Sequence, residues 1–196
     1  MAPHRTLIAD RGSGKIKCMK YESIADIFSA HEKIRGRFQE VVASVSEADE
    51  FAELAGKAWT IRQIVEHVSI VEFSMLRICT KLVGAAREAG KPFTGFSLSP
   101  GFGEKIAAIG NVKVEAPERV HPTGEVTIAD SMERLDATTQ SILDLRYDLE
   151  AFDGSELKFP HPFFGELTAA EWLVVRGGHE SRHTAQIEGL LNELKK

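Results

Sequence analysis

The chain has 196 residues, is 43% hydrophobic, and carries 24 Lys and Arg against 29 Asp and Glu, for a net charge of −5. That length can bury one sizeable core without covalent staples, and two cysteines, Cys18 and Cys79, make no disulfide framework, so a single domain in a reducing compartment is expected. An acidic body argues against a nucleic-acid grip, and no apolar run approaches the ~18 residues of a membrane span or forms a signal-peptide core, so the expected location is cytoplasmic, with no nucleic-acid or membrane partner.

The charge is uneven. Residues 1–20 hold five basic residues and one Asp, which leaves 19 basic and 28 acidic residues for 21–196. With Gly12, Ser13 and Gly14 and little apolar content, this segment reads as a disordered basic tail, or as sequence upstream of a true start at Met19. Residues 21–196 read as one domain.

The first predicted helix runs from about Ser23 to Ser46, with Ile24, Ile27, Phe28, Ile34, Phe38, Val41, Val42 and Val45 on its inner face. Thr60 with Gln63 makes a capping box that opens the second, which continues to about Glu88 with a stripe of Ile64, Val68, Val71, Met75, Ile78 and Leu82. A 36-residue connection, Gly90 to Glu125, follows. Its length allows a crossover instead of a hairpin, and its Phe93, Phe96 and Phe102 suit either a lid over one end of a bundle or a plug in a hydrophobic gap. The third helix is expected over Ile128–Leu149, with Met132, Leu135, Thr139, Ile142 and Leu145 inward. A turn-rich segment, Phe159 to Gly165, leads to a second capping box, Thr168 with Glu171, and a fourth helix. No β alternation, solenoid repeat or Gly-rich phosphate loop stands out. The pattern is all-α, a four-helix bundle with a long crossover connection between helices 2 and 3.

On the fourth helix, His179, Glu180, Ser181, Arg182 and His183 spell H-E-x-x-H. Residues four apart share a helical face about 6 Å apart, so both imidazoles can reach one cation while the carboxylate stays near enough to handle a proton. The zinc-peptidase meaning of this motif needs a third ligand downstream, but the expected Gly and His positions are Gln186 and Gly189, and thirteen residues follow His183. A third ligand must therefore come from upstream. His4, His31, His121 and His161 have weak claims, in the tail, among charged neighbours, or before Pro in loops. His67 borders the stripe of the second helix, where a ring can point inward. Taken at core spacing from Trp172 and Val175, the inward face of the fourth helix continues through His179, Arg182, His183 and Gln186. Four polar groups there would each cost a few kcal/mol if unsatisfied. A metal would satisfy them, with Arg182 or Gln186 orienting ligands or holding an anionic substrate group. Neutral core histidines bonded to carbonyls fit the spacing too. Glu180, about 100° from His179, suits a general base or a solvated residue. Cys79, roughly 18 Å along the helix from His67, reads as packing.

Three motifs in order, Trp59 to His67, His161 to Leu173 and His179 to Ile187, resemble the DinB-like superfamily of metal-dependent four-helix bundles. The resemblance covers most of residues 21–194. It implies one divalent ion (Zn, Ni or Fe) held by three histidines, one on helix 2 and two on helix 4, which by position are His67, His179 and His183. Relatives include transferases that use low-molecular-weight thiols such as bacillithiol or mycothiol, a maleylpyruvate isomerase among them, and relatives that dimerise imply a homodimer. The resemblance therefore implies a thiol S-transferase acting on a small electrophile, with a low-molecular-weight thiol as co-substrate. Arg182 and Gln186 would then be ligand-orienting or substrate contacts. A metal-dependent hydrolase with Glu180 as base, and a non-catalytic metal or small-molecule binding stress protein, are the other readings. A ferritin-like di-metal site needs two Glu-x-x-His helices, and Ile64 stands where His67 would require the Glu.

Overall fold

Each long helix begins at a hydroxyl. Ser23, Thr60, Thr127 and Thr168 accept from the backbone N–H three residues on, and so start α1 (Ile24–Ala43), α3 (Ile61–Ala89), α5 (Ile128–Asp144) and α7 (Ala169–Leu194). At Thr60 and Thr168 the reciprocal bonds from Gln63 and Glu171 complete the expected capping boxes. The structure is a computed structural model that describes residues 5–9, 16–110 and 116–196. Shorter elements fill the connections: α2 (Glu47–Glu50), α4 (Phe102–Gly110), a 3-10 turn (Glu118–Val120) and α6 (Arg146–Ala151).

Cross-helix pairs fix the directions. His31 bonds the Leu173 carbonyl and Arg35 meets Glu180, so α1 and α7 run the same way. Glu72 meets Arg176 and the Cys79 thiol faces the Ala169 carbonyl, so α3 runs against α7. Arg62 grips the Val126 carbonyl just before α5 and Arg87 meets Asp148 just after it, which makes α3 and α5 parallel. Two consecutive parallel helices require the chain between them to travel back along the bundle. The connection from Gly90 to Thr127 is that crossover. It leaves α3 beside residues 151–153, where Phe93 N–H donates to the Ala151 carbonyl, and returns beside the start of α3. There His67, Glu66 and Arg62 hold residues 120, 123–124 and 125–126 in turn.

The core is split into two apolar halves. One gathers Ile24 to Ile34, Met75 to Val83, Ile142 and Trp172 to Val175. The other gathers Phe38 to Val42, Ile61 to Val68, Leu135 and Ile187 to Leu191. Between them lies a layer of buried polar residues: His31, Arg35, Glu72, Thr138, Arg176 and Glu180. Phe102 is fully buried, and Phe93 and Phe96 pack on the first half beside Leu82, Val83 and Ala86. They plug that end of the bundle, fifteen or more residues along α3 from His67, roughly 22 Å away. The plug reading holds over the lid.

Several elements differ from expectation. The third helix breaks at Leu145, where Leu145 N–H bonds Ile142 in a tightened last turn, and α6 continues separately. The crossover contains α4, whose helical pattern is masked in sequence by its Pro and Gly flanks. The turn-rich segment is a small antiparallel hairpin of β3 (Phe159–His161) and β4 (Gly165–Leu167), closed at Gly165 with φ +74°. In the segment read as a disordered basic tail, residues 1–4 and 10–15 lie outside the described residues. The other two stretches, β1 (Arg5–Ala9) and β2 (Ile16–Lys20), pair antiparallel. No helix among the described residues is long and apolar enough to cross a membrane.

Candidate metal centre

Position 67 sits in the second turn of α3, and 179 and 183 are one turn apart on α7. Because the two helices run antiparallel, the three imidazoles converge, with ring centroids 5.2 Å (His67 to His179), 4.9 Å (His67 to His183) and 4.5 Å (His179 to His183) apart. One nitrogen from each lies within 4.8 Å of the others. His67 and His183 are buried and His179 is half-buried.

The hydrogen bonds assign the protons. A carbonyl only accepts, so His67 carries its proton on Nδ1 and donates to the Val120 oxygen at 2.7 Å. His183 Nδ1 donates likewise to Oε1 of Gln186 at 2.8 Å. Both rings therefore turn an unprotonated Nε2 toward the centre. His179 Nδ1 is buried and has no hydrogen-bond partner among the described residues. Its Nε2 is 3.3 Å from His67 Nε2. Two nitrogens bound to one tetrahedral zinc at ~2.0–2.1 Å lie about 3.3 Å apart, so this spacing fits a shared cation.

Electrostatics keep the cluster neutral. Burial lowers the pKa of His67, with His121 adding to the effect against the pull of the Val120 bond. Burial and then His67 and Arg182 bring His183 down to about 4. His179 is held well below its ordinary value by burial, its two neighbours, Arg182 and His161. Neutral imidazole is the form that ligates.

Around the centre, the Trp59 ring lies against His67 with centroids 4.7 Å apart. His161 packs on Phe164 and Trp172 at 4.6 and 4.8 Å and accepts from Phe163 N–H through Nδ1, which puts the ring proton on Nε2. Arg182 and Gln186, expected on the core-directed face, are both exposed. Gln186 still reaches the site through His183, and the charge of Arg182 is felt by His179 and His183.

Glu180 goes elsewhere. It is 1% exposed, with Oε1 3.0 Å from Arg35 Nε and Oε2 3.2 Å from Arg35 Nη2. Arg35 and Arg176 both donate to Oε2 of Glu72 at 2.6 Å, and Arg176 also donates to Thr139 and to Nδ1 of His31. Burial alone would raise Glu72, but Arg176 and Arg35 outweigh it and keep that carboxyl ionised. Burial and the facing Glu72 charge push Glu180 well above the usual carboxylate range, against Arg35 and Arg176. His31 Nε2 donates to the Leu173 carbonyl, and burial followed by Arg176 lowers its pKa to about 3. The sequence reading misses this network. Its trace is a charged residue at core spacing on each of three apolar stripes, Arg35, Glu72 and Arg176.

Cys79 is a free, fully buried thiol pushed up to about 12 by burial, consistent with packing. His4 lies outside the described residues. His121 is exposed and bonds the Ala116 carbonyl.

Comparison with known proteins adds the lineage. A model described as the DinB superfamily matches residues 30–187. An uncharacterized protein of Bacillus subtilis (strain 168), YuaE, is 24% identical over 143 residues, covering 72% of this chain and 83% of that one. The crystal structure of TT2238, a four-helix bundle protein, superposes with a TM-score of 0.57 at 21% identity, covering 85% of this chain and 99% of that one.

Proposed function

Because the chain belongs to the DinB superfamily, we propose that His67, His179 and His183 hold one divalent cation, Zn, Ni or Fe, and that the site transfers a small thiol to an electrophilic small molecule. The observation that carries this reading is the pairing of two outward N–H groups with fixed acceptors, Val120 O and Gln186 Oε1, so that free nitrogens face one point. Ligating histidines in metalloproteins are held in this way. When bound, such a cation with an open position lowers the pKa of a coordinated thiol and so supplies a nucleophile near neutral pH.

The chain's own groups do the rest. Val120 and Gln186 fix the ring orientations, and Trp59 covers one side of His67. Arg182, exposed beside His179 and His183, offers a cation for a thiolate or a substrate carboxylate. His161 presents an Nε2–H as a donor to a substrate oxygen. Transfer is preferred to hydrolysis because Glu180 faces Arg35 inside the bundle instead of the histidine cluster, out of place for a base.

The test is metal content per chain on untagged protein, followed by a panel of low-molecular-weight thiols and electrophiles with His67→Ala as control. Near one ion per chain with thiol-dependent turnover, both lost in the variant, is the expected result. One ion without turnover on any thiol leaves a non-catalytic metal-binding protein, and less than about a tenth of an ion after incubation with Zn, Ni or Fe(II) ends the metal reading. Sedimentation of the same preparation checks the homodimer that belongs to this reading.

A further inference from the structure

Glu66 is 1% exposed, and among the described residues no Lys or Arg reaches its carboxylate. Its charge is met by the crossover loop instead. Oε1 accepts from Thr123 N–H at 2.9 Å and Thr123 Oγ1–H at 2.8 Å, and Oε2 accepts from Gly124 N–H at 2.8 Å. These three bonds attach residues 123–124 of the loop to α3, and Arg62 adds two more at the Glu125 and Val126 carbonyls, at 2.6 and 2.9 Å. Gly124 adopts φ +78° to direct its N–H there, and a Cβ on it would come within 3.2 Å of Gln63 Nε2.

The neighbouring residue on α3 is His67, which grips the same loop four residues earlier, at the Val120 carbonyl. Adjacent helical residues project about 100° apart, so Glu66 and His67 hold the loop at two separate points of one short arc. Val120 O is itself a backbone group in a 3-10 turn with a Pro two residues on, and nothing on its own side chain aims it at His67. The Glu66 bonds at Thr123 and Gly124 lie nearer to Val120 along the chain than those of Arg62 at residues 125 and 126, so their loss loosens the distance from that carbonyl to His67 Nδ1.

We propose that Glu66 is a positioning residue for the metal centre: by tying Thr123 and Gly124 to α3 it sets the Val120 carbonyl against His67, and so fixes the tautomer that leaves His67 Nε2 free to ligate. The ligation half of this statement rests on the metal reading above; the tautomer half does not. The experiment uses the full chain without metal. Long-range imidazole proton–nitrogen NMR reads which nitrogen of His67 is protonated, and competition with a chromophoric chelator reads zinc affinity, for the native chain, Glu66→Gln and Thr123→Val.

In the native chain the His67 proton is expected on Nδ1. Glu66→Gln, which must turn an amide donor toward one of the loop N–H groups, is expected to shift part of the His67 population to Nε2–H and to weaken zinc binding about 10–100-fold, with helix content retained. Thr123→Val, which deletes one donor, should do the same to a smaller extent, and it decides the matter if Glu66→Gln does not fold. A native His67 protonated on Nε2, or folded variants with unchanged tautomer and zinc affinity, overturns the proposal. A tautomer shift in the variants of a chain that binds no zinc upholds the positioning and sinks the metal reading alone.

Discussion

The carboxyl of Glu180 meets Nε of Arg35 at 3.0 Å inside the bundle, while the residue before it, His179, turns toward His67. One step along α7 therefore separates two polar assemblies on different faces. Glu180→Gln preserves the shape of a carboxyl whose charged form burial and the Glu72 charge already disfavour. Its stability in urea is expected within about 1 kcal/mol of native and its metal content unchanged. Glu180→Ala, which opens a void and leaves Arg35 with Glu72 as its one remaining carboxyl partner among the described residues, is expected to lose about 3–5 kcal/mol. A 10²–10⁴-fold loss of turnover in Glu180→Gln, with metal retained, would restore the base role.

Gln186 is exposed yet fixes His183 through Nδ1. Gln186→Ala should weaken zinc binding about tenfold or more with little change in melting temperature, as measured by chelator competition and calorimetry. His183→Ala should leave less than a tenth of an ion per chain.

His31 gives the fold an acid limit. Its folded pKa of about 3 lies below the unfolded value of 6.5, so the unfolded chain binds the extra proton first. Stability tied to His31 is complete above pH 6.5 and declines as pH falls from 6.5 toward about 3, by about 1.4 kcal/mol per pH unit. His31→Gln, which can still donate to the Leu173 carbonyl, should flatten the slope of unfolding free energy against pH by one proton in that window. An unchanged slope would mean that the ring is charged in the folded state.

Phe96 plugs the end of the bundle remote from the histidines. Phe96→Ala should cost about 1–2 kcal/mol of stability, since the ring is only partly buried, and leave zinc affinity as it was. A change in affinity without a change in stability would revive the lid.

The bundle and the histidine cluster were legible because each rests on a local signal. The capping boxes at Thr60 and Thr168 mark helix starts within one turn, and an i,i+4 pair at His179 and His183 holds whatever the helix packs against. The phase of α7 was not legible. Residues 171–177 are all buried, so the apolar pattern there has no polar side to orient it. Extending it from Trp172 and Val175 turned the helix by about one position, which put Arg182 and Gln186 inward and left Glu180 undecided. The charged layer was hidden for another reason. Glu72 finds its partners 37 positions upstream, at Arg35, and 104 positions downstream, at Arg176, and a lone charge on each stripe does not disclose them.

His67 and His179 are 112 positions apart in the chain. A ribosome adding about 5–20 residues per second needs roughly 6–22 s to travel between them. During that interval the emerging chain offers His67 and the loop that orients it, and no second ligand. If the three histidines hold a cation as proposed, its capture belongs to the chain that has docked α7 against α3, and the ion would mark molecules whose topology is complete.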